Sequence, residues 1–237
     1  MNVYHPYTIF PLGDSALTID FGNFIYEEIN KKVLRLFHHL KNTDHPFIVD
    51  LVPAYSSLTI CYQLSSIHRQ KTSFETMADI IEELIVNAQD HSESEPNCFR
   101  IPVCYSKKFA LDVDYLAIKN NLSVEEIIQI HTSKTYRVYM LGFLPGFTYM
   151  GEVDERIAIA RKPTPRTKVF AGAVGIAGRQ TGIYPLESPG GWQIIGRTPL
   201  QVFNKNEEQP VLLQPGDEVK FYSISEDEFA NYQTGNS

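Results

Sequence analysis

Apolar and polar positions follow two rhythms along this 237-residue chain, and the rhythm changes near residue 135. In "YTIFPLGDSALTIDF" two runs of period two flank Gly13-Asp14, which predicts a hairpin. Ile29, Val33, Leu36, Phe37 and Leu40 then recur at helical spacing and predict an amphipathic helix over 25–41. "FIVDLV" at 47–52 and "SLTICYQL" at 57–64 predict two strands parted by a loop containing Pro53. Thr72 and Glu75 have capping-box spacing, and Phe74, Met77, Ala78, Ile81, Leu84, Ile85 and Ala88 mark one buried helical face. "CFRIPVCY" at 98–105 predicts a further strand. Counted from the strand at 15–21, the order is β-α-β-β-α-β, the ferredoxin-like arrangement.

The polar stretch "NAQDHSESEPN" at 87–97 is a candidate linker. A short helix is expected over 112–120, and Ser123 with Glu126 forms a second capping box opening a helix to about His131. From Thr135 the grammar becomes that of strands and tight corners. Ten of the fourteen glycines fall between Gly142 and Gly196, among prolines and β-branched residues, so this segment reads as a barrel rather than helices. "PLQVFN", "PVLLQ" and "DEVKFYSI" predict later strands, and the tail "ANYQTGNS" is expected to fray.

Composition narrows the classes. An apolar share of 43% and a charged share of 21% suit a globular protein. No apolar run reaches the roughly 18 residues of a membrane span, and the N-terminus carries no secretory pattern. Three scattered cysteines, Cys61, Cys98 and Cys104, point to reduced thiols in a cytoplasm. The net charge of −7 argues against nucleic acid as a partner. Yet Arg156 to Arg197 holds seven basic residues against one acid, Glu187, leaving 14 basic and 27 acidic residues elsewhere. Such a local excess is either an anion site or a solvated basic face.

Generic motifs are missing. There is no GxxxxGK[ST], "GAVGIAG" at 172–178 does not fit GxGxxG, Ser188 is in no G-x-S-x-G, and the histidines lack metal-ligand spacing. What remains are three long segments: "HTSKTYRVYMLGFLPGFTYMG", "RKPTPRTKVFAGAVGIAGRQTGIYPLESPGGWQIIGRTPLQVF" and "LLQPGDEVKF". In these the chain resembles the B-subunit family of bacterial 5-oxoprolinase. That family also includes KipI, the histidine-kinase inhibitor, and the first allophanate-hydrolase-type subunit of urea amidolyases. The likeness is strong over roughly 95–222. It departs from the family pattern at Phe170, Ala173 and Ala177, so no serine role is carried onto Ala173.

The resemblance implies an α+β chain with a ferredoxin-like βαββαβ domain at 1–94 and a cyclophilin-like β-barrel at 95–237. It implies a cytoplasmic component, inactive alone, that works with a C-type partner (KipA/PxpC-like) and an A-type partner (PxpA-like). Together they would open 5-oxo-L-proline, a small anionic lactam, to L-glutamate with ATP as co-substrate and no metal or prosthetic group in this chain. The alternatives it leaves open are a KipI-like inhibitor of a sensor histidine kinase and an allophanate hydrolase-type subunit.

A lactam carbonyl is weakly electrophilic, so ATP can activate it by phosphorylating the oxygen before water attacks, and catalysis is then positioning and charge stabilisation. The expected catalytic set is His131 as proton shuttle, Arg166 and Gln180. The expected substrate-binding set is Arg161, Thr181, Tyr184, Gly190, Gly191, Trp192, Phe143 and Phe147. Pro163 and Pro165 would stiffen the arginine loop, and Trp192 behind Pro-Gly-Gly would form an aromatic wall. Each has a plainer rival: exposed loop arginines, turn hydrogen bonds at Gln180 and Thr181, a packed histidine, and core aromatics.

Overall fold

A computed structural model describes residues 7–23, 25–64, 72–87 and 96–234. The chain divides into two compact units, Met1–Glu95 and Pro96–Ser237. In the first, β1 (Thr8–Pro11) and β2 (Ala16–Asp20) form the expected hairpin, turning where Gly13 takes φ +71°. The helix α1 (Glu27–Asn42), the strands β3 (Ile48–Pro53) and β4 (Ser57–Tyr62), and the helix α2 (Ser73–Asn87) follow. The sheet is antiparallel in the order β1-β2-β4-β3. Leu17, Ile19, Leu58 and Ile60 project from alternate strand positions onto Val33, Leu36, Met77 and Ile81, which is why both helices form amphipathic faces here. The first capping box is made as expected: Thr72 Oγ1 accepts from Glu75 N, and Glu75 Oε2 accepts from Thr72 N. Ala88, expected on the buried face of α2, and most of the expected linker lie outside the described residues.

The second unit begins with β5 (Cys98–Cys104), a strand whose sequence allows it to serve either side of the linker. It joins with a distant strand in parallel over seven residue pairs, from Glu218↔Cys98 to Ile224↔Cys104. Beside β2, the place is filled by β1, whose two-strand hairpin costs far less chain entropy to close. The observed order of the first unit is therefore ββαββα. The remaining elements are α3 (Val113–Asn120), α4 (Val124–Ser133), β6 (Thr135–Leu141), β7 (Thr148–Gly151), β8 (Arg166–Val169), β9 (Ala173–Ala177), β10 (Gln180–Ile183), β11 (Ser188–Gly190), β12 (Gln193–Arg197), β13 (Glu218–Ile224) and α5 (Glu226–Thr234). Among the described residues, seven strands close into a barrel in the order β10-β7-β6-β13-β5-β12-β9, consistent with the expected cyclophilin-like barrel. β8 and β11 form a separate two-stranded ribbon.

Alternation gives the wall two faces. Val138, Met150, Val174, Ile176, Ile183, Ile195, Val219 and Phe221 form one cluster, sealed by Val113 and Leu116 of α3 and Ile127 and Ile130 of α4. Each such side chain, when fully buried, contributes about 1.5–3 kcal/mol. The alternate positions Ala173, Ala177 and Ile194 pack with Phe147, Val169, Tyr184 and Trp192 in a second cluster on the other face.

Two expectations for the C-terminal end are corrected. "PLQVFN" and "PVLLQ" are not strands of a sheet; they share one bridge, Phe203↔Val211. The tail through Thr234 is helical rather than frayed, because Ser225 and Glu228 form a capping box and Phe229 is buried against Phe109.

The barrel's weakest seam is β5–β12, paired only at Arg197↔Cys104. There Gly196 leaves no room: an added Cβ would lie 2.6 Å from Val103 Cγ1 and 3.0 Å from the Cys104 carbonyl oxygen. Gly196→Ala should cost about 1–3 kcal/mol by overpacking. This lowers the thermal midpoint followed by circular dichroism by roughly 2–10 °C, whereas an unchanged midpoint would mean the seam yields freely.

Candidate functional site

Trp192 is 4% exposed and lies against Phe147 (ring centroids 5.3 Å apart) and Tyr149 (5.8 Å). Phe147 in turn meets Tyr184 edge-on at 4.9 Å. The glycines explain how these rings come so close. A Cβ on Gly182 would meet Trp192 Cζ3 at 3.1 Å and the Thr148 carbonyl oxygen at 2.5 Å, and one on Gly190 would strike the Tyr184 hydroxyl at 2.5 Å. Phe143, held at φ +66° in the loop between β6 and β7, is 62% exposed and turns its ring edge-on toward Phe147 at 5.6 Å. The result is an aromatic wall with one exposed ring at its margin.

Cations border this wall. The Arg161 guanidinium stands 5.9 Å from the Trp192 ring centroid. Burial raises the Tyr184 hydroxyl's pKa, and the Trp192 backbone N–H, Arg161 and Arg166 oppose that rise. Burial likewise raises Tyr149, opposed by Arg161. Both arginines therefore act on Tyr184, and Arg161 acts on Tyr149 as well. Gln180, half-buried, precedes Thr181 and Gly182 on β10, and alternation puts its side chain on the same face of the wall as Gly182. Gly191 contributes its carbonyl oxygen to the Lys162 N–H at 2.7 Å, binding the arginine loop to the end of the turn.

The basic excess is mostly spoken for. Arg156 pairs with Asp154, Arg179 with Glu152 and Glu155, and Lys168 with Glu187. Arg197 is held by the Ala171 carbonyl and by the rings of Phe109, Phe170 and Phe229. Lys162 and Arg166 share Asp112, at 3.4 and 2.5 Å from Oδ1. Arg161 and Arg197 have no carboxylate partner among the described residues; Arg197 is held by the Ala171 carbonyl and three rings, whereas Arg161 stands over Trp192. Charge counting alone overstated the site, because most of the neutralising acids come from outside the segment's basic loop.

Asp112 went unnoticed in the sequence. It precedes α3 at the N-cap position but caps nothing, and it is only 5% exposed. Its backbone N–H donates to the Ile194 carbonyl at 2.8 Å, and its Oδ2 accepts from the Ile194 N–H at 2.7 Å. It thus occupies the edge of β12 that β5 leaves open. Lys162 stands out in the sequence only as part of the basic excess, and Gln193 not at all; Gln193, 3% exposed, donates from Nε2 to the Ala160 carbonyl at 3.2 Å.

His131 and Thr181 stand apart from this assembly. Both are completely buried, and Thr181 is paired with Met150 and Ile176, residues of the inner cluster. The Thr181 hydroxyl donates to the Gly175 carbonyl at 3.0 Å, so its oxygen accepts from His131 Nε2–H at 3.1 Å. His131 Nδ1 then accepts from the Tyr105 hydroxyl at 2.8 Å. The imidazole stacks on Phe221 at 4.8 Å, and its pKa falls to about 3 through burial. A neutral ring with both nitrogens engaged, on the inner face of the wall, ties α4 to the barrel. A ligand at Trp192 would lie on the other face of the same strand.

Residues 7–213 match the family described as carboxyltransferase domain, subdomain C and D, and the chain belongs to that family. Among its relatives is the 5-oxoprolinase B subunit of Bacillus subtilis (strain 168), 42% identical over 96% of this chain and 97% of that protein. The 5-oxoprolinase B subunit of Escherichia coli O157:H7 is 35% identical over 89% of this chain and 93% of its own length. Among solved structures, TTHA0988 superposes with a TM-score of 0.77 at 35% identity. The superposition covers 89% of this chain but spans only 40% of the TTHA0988 chain. The conserved uncharacterized protein PH0987 from Pyrococcus horikoshii is 45% identical, with a TM-score of 0.55 over 94% of this chain and all of its own.

The buried imidazole predicts an acid-sensitive fold. The unfolded chain takes up a proton near pH 6.5, whereas the folded protein holds His131 neutral down to about pH 3. Below 6.5 the unfolded state binds more protons, so stability falls as the pH drops toward 3, by up to about 1.4 kcal/mol per pH unit. His131→Gln, which keeps a donor and an acceptor, should flatten the decline in urea-unfolding midpoint between pH 7 and pH 4. An unaltered slope would show that other groups carry it.

Proposed function

We propose that this chain is the B-type component of an ATP-dependent 5-oxoprolinase, opening 5-oxo-L-proline to L-glutamate within a cytoplasmic heteromer that includes A- and C-type partners. The observation that carries this reading is the 42% identity to a 5-oxoprolinase B subunit over nearly the full length of both proteins. The cysteines, unpaired in the fold, accord with a reducing compartment. The two compact units are read as a ferredoxin-like domain at 1–94, with β1 standing where the last strand of that arrangement would pair, and a cyclophilin-like domain at 95–237.

The outer wall supplies binding and orientation. Arg161 holds the substrate carboxylate while Trp192, Phe147 and Tyr184 cover the ring and Phe143 closes the exposed side. Gln180 and Arg166 make polar contacts to the lactam, and Gly190 and Gly191 let the turn approach it. His131 and Thr181 keep the wall in register rather than exchanging protons with substrate. One uncommitted guanidinium suits a single carboxylate and does not fit a triphosphate, so ATP is assigned to another member of the complex.

The chain should be co-expressed with its A- and C-type partners and 5-oxoproline-dependent ADP release measured. Omitting this chain should stop it; undiminished release without the chain would refute the reading, as would inhibition of a sensor kinase being its sole activity. Arg161→Ala should raise KM about 10- to 100-fold, the loss of a charge-assisted contact.

A further inference from the structure

One ring of the outer wall combines partial exposure with a polar atom. Phe147, Tyr184 and Trp192 are buried, and Phe143 is exposed but has no polar side-chain atom, whereas Tyr149 is half-buried and carries a hydroxyl. Strand register fixes its face. Tyr149 stands between Thr148 and Met150 on β7; Met150 belongs to the inner cluster, so alternation sends Tyr149 outward, and it packs against the Trp192 cluster. Across the ladder it is opposite Gly182, where a Cβ would meet Trp192 Cζ3 at 3.1 Å. The missing side chain at 182 leaves the space in which the Tyr149 and Trp192 rings approach, with centroids 5.8 Å apart.

Arg161 and this phenol flank the same indole. The guanidinium lies 5.9 Å from the Trp192 ring centroid, and the Tyr149 ring meets Trp192 at an interplanar angle of 66°. Burial raises the phenol's pKa, and the Arg161 charge opposes that rise, so the two heads lie within electrostatic reach of each other. A phenol kept protonated is a donor. Packing against Phe147 and Trp192 requires the ring of Tyr149 but not its hydroxyl. A carboxylate offers two oxygens, and one exposed guanidinium on a loop leaves room for a second donor. An O–H bond to a carboxylate is charge-assisted, shorter and about twice as strong as a neutral one.

Resting on the 5-oxoprolinase reading, we infer that Tyr149 is a second carboxylate-binding residue: its hydroxyl donates to one carboxylate oxygen of 5-oxoproline while Arg161 binds the other. The pair sets the class of substrate. A lactam with a carboxylate on the carbon beside its nitrogen gains both contacts, and the same ring without the carboxylate gains neither. The contribution of Tyr149 is to binding, so its loss falls on KM and spares kcat.

The test uses the reconstituted complex and two ligands: 5-oxoproline as substrate, and 2-pyrrolidinone, the same lactam without its carboxylate, as competitor. Tyr149→Phe keeps the ring and removes the hydroxyl. It should raise the KM for 5-oxoproline about tenfold or more with kcat unchanged, and leave the inhibition constant of 2-pyrrolidinone within about twofold. Disturbed packing would shift both ligands alike, so equal effects on the two, or no effect on either, would overturn the inference. Arg161→Ala gives an arm that leaves Tyr149 in place and decides the matter should Tyr149→Phe not assemble. There the remaining hydroxyl should still favour 5-oxoproline over 2-pyrrolidinone by at least about threefold, because a site built for a hydrogen bond rejects the analogue lacking it. Loss of all preference would overturn the inference. A wild-type complex with no turnover of 5-oxoproline would instead refute the parent reading and this one with it.

Discussion

A carboxylate with almost no access to water organises the second unit of this protein. Asp112 bonds both backbone groups of Ile194, so it continues the barrel's ladder across the place where β5 and β12 part. The same carboxylate gathers Lys162 and Arg166. A buried charge is tolerated only when paired and hydrogen-bonded, and removing one partner of such a cluster is far more costly than losing a surface ion pair. The exposed pairs at Arg156, Lys168 and Arg179 carry no comparable weight. Barrel closure and presentation of the arginine loop therefore rest on one side chain.

The second constraint is the period of a strand. Gln180, Thr181 and Gly182 are consecutive, yet Thr181 bonds the buried histidine while Gly182 lies against Trp192. Residues that look like one polar cluster in the sequence are divided by the wall they build. That division separates labour. The inner face is a sealed, neutral network that fastens a helix to the barrel, and the outer face carries the aromatic surface, its bordering cations and Gln180.

What could be read without coordinates follows from how local the cause is. The capping boxes at Thr72 and Ser123 and the α1 periodicity involve residues three or four apart, so they are visible in the string. The same signature stands at Ser225 and Glu228, where the polar composition of the tail suggests fraying but the capping box opens a helix. The partner of β5 was not legible, because a strand of ordinary composition does not say whether it pairs with a neighbour or with a segment 120 residues away. Of the site, the turn, the tryptophan and Arg161 were readable as an assembly. Asp112 and Gln193 were not, since an aspartate before a helix reads as a cap and a glutamine in a strand reads as surface.

The lone tryptophan can now be placed physically. Its turn neighbours are small because rings and backbone occupy the space their side chains would need: Tyr184 fills the place of a Cβ at Gly190, and Trp192 itself presses on Gly175 and Gly182. A large indole is thus a packed residue and a wall at once, fixed on one side by Phe147 and reached on the other by Arg161. In the proposed function that combination suits a flat anionic guest: ring contact supplies attraction without demanding a particular atom, and the Arg161 guanidinium supplies the matching charge.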